Sequence, residues 1–101
     1  MTLEELTDFF RAIAPGAAML AARVKFDFGT DGCIVLDATA DPVAVSNDNV
    51  AADTTVHADL GRFSRILAGE LKGDLEFTMG YLKVEGDLIT GVKITQLLSR
   101  D

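Results

Sequence analysis

The chain contains no tryptophan, and in 101 residues it has one cysteine, one histidine, one tyrosine and two prolines. A single cysteine, Cys33, closes no internal disulfide. Set in the apolar run Cys33-Ile34-Val35-Leu36, it reads as a buried inert thiol, which suits a reducing compartment. One histidine and one cysteine build no zinc site without several carboxylates, so no metal is expected. Basic residues are also scarce: nine Lys and Arg face sixteen Asp and Glu, for a net charge of −7. A nucleic-acid partner would need a basic face, and the field of the whole protein opposes stable attachment to anionic membranes. No apolar run approaches the ~18 residues of a membrane span, and no basic segment precedes an apolar stretch as in a signal peptide. Ser99-Arg100-Asp101 is not a peroxisomal address. A cytoplasmic location without stable membrane insertion is the expectation.

Patterned catalytic groups are equally thin. His57 shares its strand parity with polar neighbours and reads as a solvated histidine. Ser46, Ser64 and Ser99 sit in no nucleophile elbow. Asp27-Phe28-Gly29 repeats the letters of a kinase loop, but it ends a strand in a chain far too short for a kinase. Gly69, Gly73, Gly80 and Gly86 lack the spacing of a phosphate loop, and Asp41, Asp48 and Asp53 lack that of a calcium loop. No catalytic residue and no cofactor is expected; His57 and Cys33 are the only enzymatic candidates.

Aliphatic side chains dominate what remains. The chain is 49% hydrophobic but only 7% aromatic, a composition for one domain over residues 1–101 with a core of Leu, Val, Ile and Ala. Thr2-Leu3-Glu4-Glu5 is a capping-box pattern. Behind it Leu3, Leu6, Phe9, Phe10 and Ile13 share a helical face that Pro15-Gly16 terminates. A short second helix is expected over 17–22. Val24, Phe26 and Phe28 alternate with Arg23, Lys25 and Asp27 in a strand, and a turn at Gly29–Gly32 leads to a more buried strand over 33–36. Further strands fall at 43–46 and 54–59. Asp59 caps a helix carrying Phe63, Ile66 and Leu67, which Gly69 stops. A short helical turn runs from Lys72 to Phe77, and Leu82–Glu85 alternate in the closing strand. Asp87 then caps a final helix from Leu88 to about Ser99. This order gives an α+β fold, with a mostly antiparallel sheet and helices gathered on one face. Arg23, Lys25, Asp27, Thr55, His57, Lys83 and Glu85 should line the wet face of the sheet.

The last helix breaks the usual pattern of one apolar stripe. At 100° per residue Leu88, Ile89 and Val92 lie on one side, Ile94 and Leu98 on another, and Leu97 between and beyond them. Either the helix is buried on more than one side, or one side faces something apolar that is not the chain. Met19 and Met79 suit adaptable gap-filling.

Several stretches together resemble the sterol carrier protein type-2 lipid-transfer family. They are Val24-Lys25-Phe26-Asp27-Phe28-Gly29, Val45-Ser46-Asn47, Ala52-Asp53-Thr54-Thr55-Val56, Phe63 through Leu71, Gly80-Tyr81-Leu82-Lys83-Val84-Glu85-Gly86-Asp87, and Val92-Lys93-Ile94 with Gln96-Leu97-Leu98. Their order holds from about Ala22 to Leu98. The resemblance implies a five-stranded sheet with helices over one face, an apolar tunnel between them, and the C-terminal helix as part of the tunnel wall. It implies a non-enzymatic carrier of a fatty acid, acyl-coenzyme A, sterol-like molecule or other lipid. The alternative is an accessory module, for example in quinone biosynthesis, that presents a hydrophobic intermediate or docks a partner enzyme. The tunnel walls would then be Phe9, Ile13, Met19, Phe26, Phe63, Ile66, Leu67, Leu71, Phe77, Met79, Leu82, Leu88, Val92 and Leu97. Two departures stand out. The N-terminal helix is shorter than is common, which would suit a groove completed by a partner or a homodimer. Tyr81 stands where the family often has lysine, which removes a positive charge. A tunnel of roughly 300 Å3 left empty would cost about 7 kcal/mol, against a net stability of about 5–15 kcal/mol, so it should be filled, wet or partly collapsed.

Overall fold

A computed structural model of the protein describes residues 1–98. Ser99, expected near the end of the last helix, and the terminal Arg100-Asp101 lie outside the described residues. The chain begins with helix α1 (Leu3–Ile13) and a 3-10 segment (Ala14–Leu20). Strands β1 (Arg23–Asp27), β2 (Cys33–Asp37), β3 (Ala44–Ser46) and β4 (Thr54–Ala58) follow. Helices α2 (Leu60–Leu67) and α3 (Gly73–Thr78), strand β5 (Leu82–Gly86) and helix α4 (Leu88–Leu98) complete it.

The capping box forms as its pattern predicts. The Thr2 hydroxyl accepts from the Glu5 N–H at 3.1 Å, and the Thr2 N–H donates to Glu5 Oε1 at 2.9 Å. The segment after α1 differs from the expected α-helix over 17–22. It starts earlier, is wound as a 3-10 helix and stops at left-handed Ala21. Pro15 supplies no N–H and Gly16 adds backbone freedom, so regular α hydrogen bonding does not propagate.

The sheet order is β3-β2-β1-β4-β5, and its pairings are antiparallel except for β1 with β4. The chain must therefore pass from edge strand β3 to the far side of β1, and residues 47–53 do so across the outer sheet face. Lys25 Nζ donates to Asn49 Oδ1 at 2.8 Å, Arg23 Nη1 to the Ala51 carbonyl at 3.3 Å, and the Arg23 N–H to Asp53 Oδ2 at 2.9 Å. This crossing buries Cys33 and Val35, the β2 residues turned away from the helices. The Cys33 sulfur lies 3.6 Å from the carbonyls of Asn47 and Asp48.

On the inner face, Val24, Phe26, Ile34, Leu36 and Val56 meet Leu6 and Phe10 of α1, Phe63 and Leu67 of α2, and Ile94 of α4 in one buried cluster. Few aromatics are present, yet they gather at its centre. Phe10 and Phe26 have ring centroids 4.6 Å apart, and Phe63 lies 5.6 Å from Phe26 and 5.5 Å from Phe28. The two methionines do not fill gaps here: Met19 and Met79 are both exposed, because the phenylalanines and branched aliphatics occupy the interior.

Candidate functional site

The last third of the chain is built on three local devices. Asp59 caps α2 by accepting the Arg62 N–H at 3.0 Å, and Gly69 leaves that helix at φ +82°. Asp87 caps α4: its carboxylate accepts the Ile89 N–H at 3.0 Å and the Thr90 hydroxyl at 2.8 Å, while its carbonyl accepts the buried Thr54 hydroxyl at 2.9 Å. Those helix-end bonds hold the Asp87 carboxyl below the usual aspartate range. The chain thus turns back tightly from β5 into α4.

Helix α4 is seated by small residues. Thr90, Gly91 and Ile94 are buried, and a Cβ on Gly91 would lie 3.1 Å from Val84 Cγ1. The helix backbone therefore rests close on β5, with Leu97 and Leu98 packed partly against the core. The opposite side holds Leu88, Ile89 and Val92 at 66%, 70% and 59% exposure. Of the two alternatives for this helix, burial on several sides is not what the structure shows: its second apolar side is largely exposed. Leu75 and Phe77 on α3, with Met79 and Tyr81 just after it, are also exposed. Between α3 and α4 the edge strand β5 turns half-buried Leu82 and Val84 to the same inner face.

The fourteen expected wall residues divide into three groups. Phe26, Phe63 and Leu67 are buried in the core cluster, with Phe9, Ile13, Leu82 and Leu97 packed partly against it. Ile66 and Leu71 are half-buried. Met19, Phe77, Met79, Leu88 and Val92 stand in solvent. None of the fourteen lines either of two open surface clefts. One, of about 340 Å3, lies where the parallel strands β1 and β4 end, between Asp27, Phe28, His57, Asp59, Tyr81 and Lys83. The other, of about 380 Å3, is bounded by Arg23, Thr39 and Ala51–Asp53.

Two polar arrangements were not legible as such in the sequence. Arg62 forms a two-pronged pair with buried Glu76, at 2.8 and 2.9 Å, and its guanidinium lies 3.8 Å over the Tyr81 ring. The hydrogen bonds that Arg62 donates to Glu76 raise its pKa. Arg62, held from α2 with its charge balanced by Glu76, thus covers the Tyr81 ring. On the outer face His57 Nε2 is 2.7 Å from Glu85 Oε1, and His57 Nδ1 is 3.5 Å from Asp27 Oδ2. Strand parity assigns these three residues to one face, but only the register Asp27–His57–Lys83 and Thr55–Glu85 brings them together. Among the described residues no group of three or more His, Cys, Asp and Glu is arranged to hold a metal ion, and no helix is long and apolar enough to cross a membrane.

Comparison with solved structures places the fold. Sterol carrier protein 2 from Yarrowia lipolytica, in its apo form, superposes with a TM-score of 0.73 at 22% identity, over 92% of this chain and 86% of that one. Palmitated SCP2L2 from Aedes aegypti gives 0.66 at 15% identity, over 99% and 96%. A UbiJ-SCP2 ubiquinone synthesis protein gives 0.65 at 16% identity, over 94% and 86%. At these identities the likeness is one of fold. No curated protein sequence matches the chain significantly. The family model described as the SCP-2 sterol transfer family matches residues 6–99, nearly the whole length. The chain belongs to the SCP-2 sterol transfer family.

Proposed function

We propose that this protein is a non-enzymatic carrier that binds and transfers an apolar ligand: a fatty acid, an acyl-coenzyme A, a sterol-like molecule or another lipid. Residues 1–101 act as one lipid-binding domain. The ligand lies along the inner face of β5, between α3 and α4. Leu82, Phe77, Met79, Leu88 and Val92 meet it first, Met19 lies at the margin, and the half-buried residues from Phe9 to Leu97 lie deeper. The supporting observation is the seating of α4. A helix whose buried side is Thr90, Gly91 and Ile94 has no internal reason to carry Leu88 and Val92 on its other side. Family membership supports the same reading.

The energetics are sufficient. Burying fourteen methylenes gains roughly 11 kcal/mol at ~0.8 kcal/mol each, and association costs of about 4 kcal/mol or more leave micromolar or tighter binding. Each methylene changes the energy little, so selectivity for chain length is loose. Native mass spectrometry of protein purified from its host should show a bound lipid, and a fluorescent fatty-acyl probe should saturate the site. No binding of acyl or sterol probes at about tens of micromolar removes the proposal.

The likeness to the ubiquinone synthesis protein supports a second reading, in which the ligand is a hydrophobic biosynthetic intermediate presented to a partner enzyme. A long isoprenoid in the purified protein, together with an enzyme that co-purifies in fixed ratio, favours it. A monomer carrying only acyl chains refutes it.

A further inference from the structure

The sheet has two outer strands, β3 and β5, and they are not alike. β3 has three residues and packs against α1, and Asn47 just beyond it donates to the Thr7 hydroxyl of that helix at 3.1 Å. β5 has five residues, Leu82-Lys83-Val84-Glu85-Gly86, with no proline among them. The Asp87 N–H bond to the Asp53 carbonyl sets the phase of the β4–β5 ladder. Residues directly opposite in an antiparallel pair exchange hydrogen bonds at every second position. Lys83 and Glu85 therefore turn their N–H and C=O groups toward His57 and Thr55, and Leu82, Val84 and Gly86 turn theirs outward. No loop, helix or side chain among the described residues meets those outward groups with a hydrogen bond. Val84 is half-buried, although Val56 directly opposite it is 4% exposed.

This edge is complementary to itself. Laid antiparallel on a second copy about a two-fold axis at Val84, it pairs Val84 with its own counterpart and Leu82 with Gly86, all through outward backbone groups. Lys83 then stands opposite Glu85 on either side of the axis. Both pairs fall at positions without ladder hydrogen bonds, where cross-strand side chains come closest. The next two-fold registers set Lys83 opposite Lys83, or Glu85 opposite Glu85, and leave part of the strand unpaired. Charge therefore selects one register. Lys83 forms no ion pair with any described residue. Glu85 and Asp27 both lie at His57, so the ammonium group of a second copy would meet a cluster holding two carboxylates.

We infer that β5 is a homodimer edge: two copies pair their β5 strands antiparallel about Val84, which joins the two sheets into one. A five-residue edge buries less than an obligate dimer needs, and the net charge of −7 on each copy opposes association, so the dimer is weak and reversible. It uses the open edge and the outer face of the sheet, not the inner-face groove, and so holds whether or not the protein carries a lipid.

The test is sedimentation equilibrium of the full chain and of the variants Lys83→Glu and Glu85→Lys, each alone and the two mixed. Both side chains are exposed, so the fold should persist, which circular dichroism checks. Wild type should dimerise at concentrations up to about 1 mM. Each variant alone sets like charges opposite one another and should associate at least about tenfold more weakly. An equimolar mixture again sets acid opposite base and should regain the dimer. Wild type that stays monomeric overturns the inference, as do single variants that dimerise as wild type does, since another face would then hold the dimer. A mixture as monomeric as its components overturns it too, because the strands would not meet in this register. In wild type alone, the amide resonances of Leu82, Val84 and Gly86 should shift with concentration. Shifts confined to another part of the molecule overturn the inference without any variant.

Discussion

Gly86 adopts φ +93°, and a Cβ there would lie 2.2 Å from the Asp53 carbonyl oxygen. The close approach lets the Asp87 N–H donate to that carbonyl at 3.1 Å and fixes where α4 begins. Gly86→Ala should therefore destabilise the fold by about 3 kcal/mol or more, read as a lower urea midpoint, because the strain falls on backbone that cannot yield. The carboxylates at the caps predict a pH dependence. Thr2 holds the Glu5 pKa below its ordinary value, Thr39 holds Asp37 below, and Thr90 with the Ile89 N–H holds Asp87 below. Each of these groups binds its proton more weakly folded than unfolded. The stability they add is complete above the ordinary carboxylate range and is lost as pH falls through it toward their folded values. Thermal midpoints should be flat above about pH 5 and fall progressively below about pH 4. Thr2, Asp59 and Asp87 are legible as caps because a cap is a local device: the residue that makes the bond stands within three positions of the residue that needs it.

The two sides of α4 should respond in opposite ways. Ile94 is 4% exposed and sits in the core cluster, so Ile94→Ala should cost about 2–4 kcal/mol of stability in denaturant titrations. Val92 is 59% exposed, so Val92→Ser should change stability by no more than about 0.5 kcal/mol, yet weaken acyl-probe binding by up to about tenfold. Equal effects of both substitutions on stability would mean that the helix is seated differently. Periodicity locates this helix and shows that its apolar groups spread too widely for one stripe. It does not show which side is buried, because Ile94 with Leu98 and Leu88 with Val92 are equally oily. Gly91 decides the matter: where it lacks a side chain, the helix backbone can approach Val84 of β5 closely. The 3-10 segment at Ala14–Leu20 is a milder case. Its apolar residues announce a helix, but its winding follows from Pro15 and from packing against α4.

At the scale of the whole molecule, the proposed ligand should act as a structural component. A fatty acid present at about one hundred times its dissociation constant should add about 2.7 kcal/mol and raise the melting midpoint by roughly 10 °C, measured by calorimetry with and without ligand. A midpoint indifferent to every acyl chain tested contradicts a site in the folded state. The sequence by itself determined the element order, most of the caps, the wet face of the sheet and the α+β class, because each depends on neighbours a few positions away or on the alternation of oily and polar residues. The stretches resembling the sterol carrier family pointed to the family. Tertiary structure alone decided that β1 and β4 run parallel. It also placed the 47–53 crossing over Cys33 and Val35, set Arg62 against Glu76 and Tyr81, and left apolar side chains of α3 and α4 exposed on either side of β5 in the chain. These are pairings between residues far apart in the chain. Their partners are chosen by packing geometry and strand register, which hydrophobic periodicity does not encode.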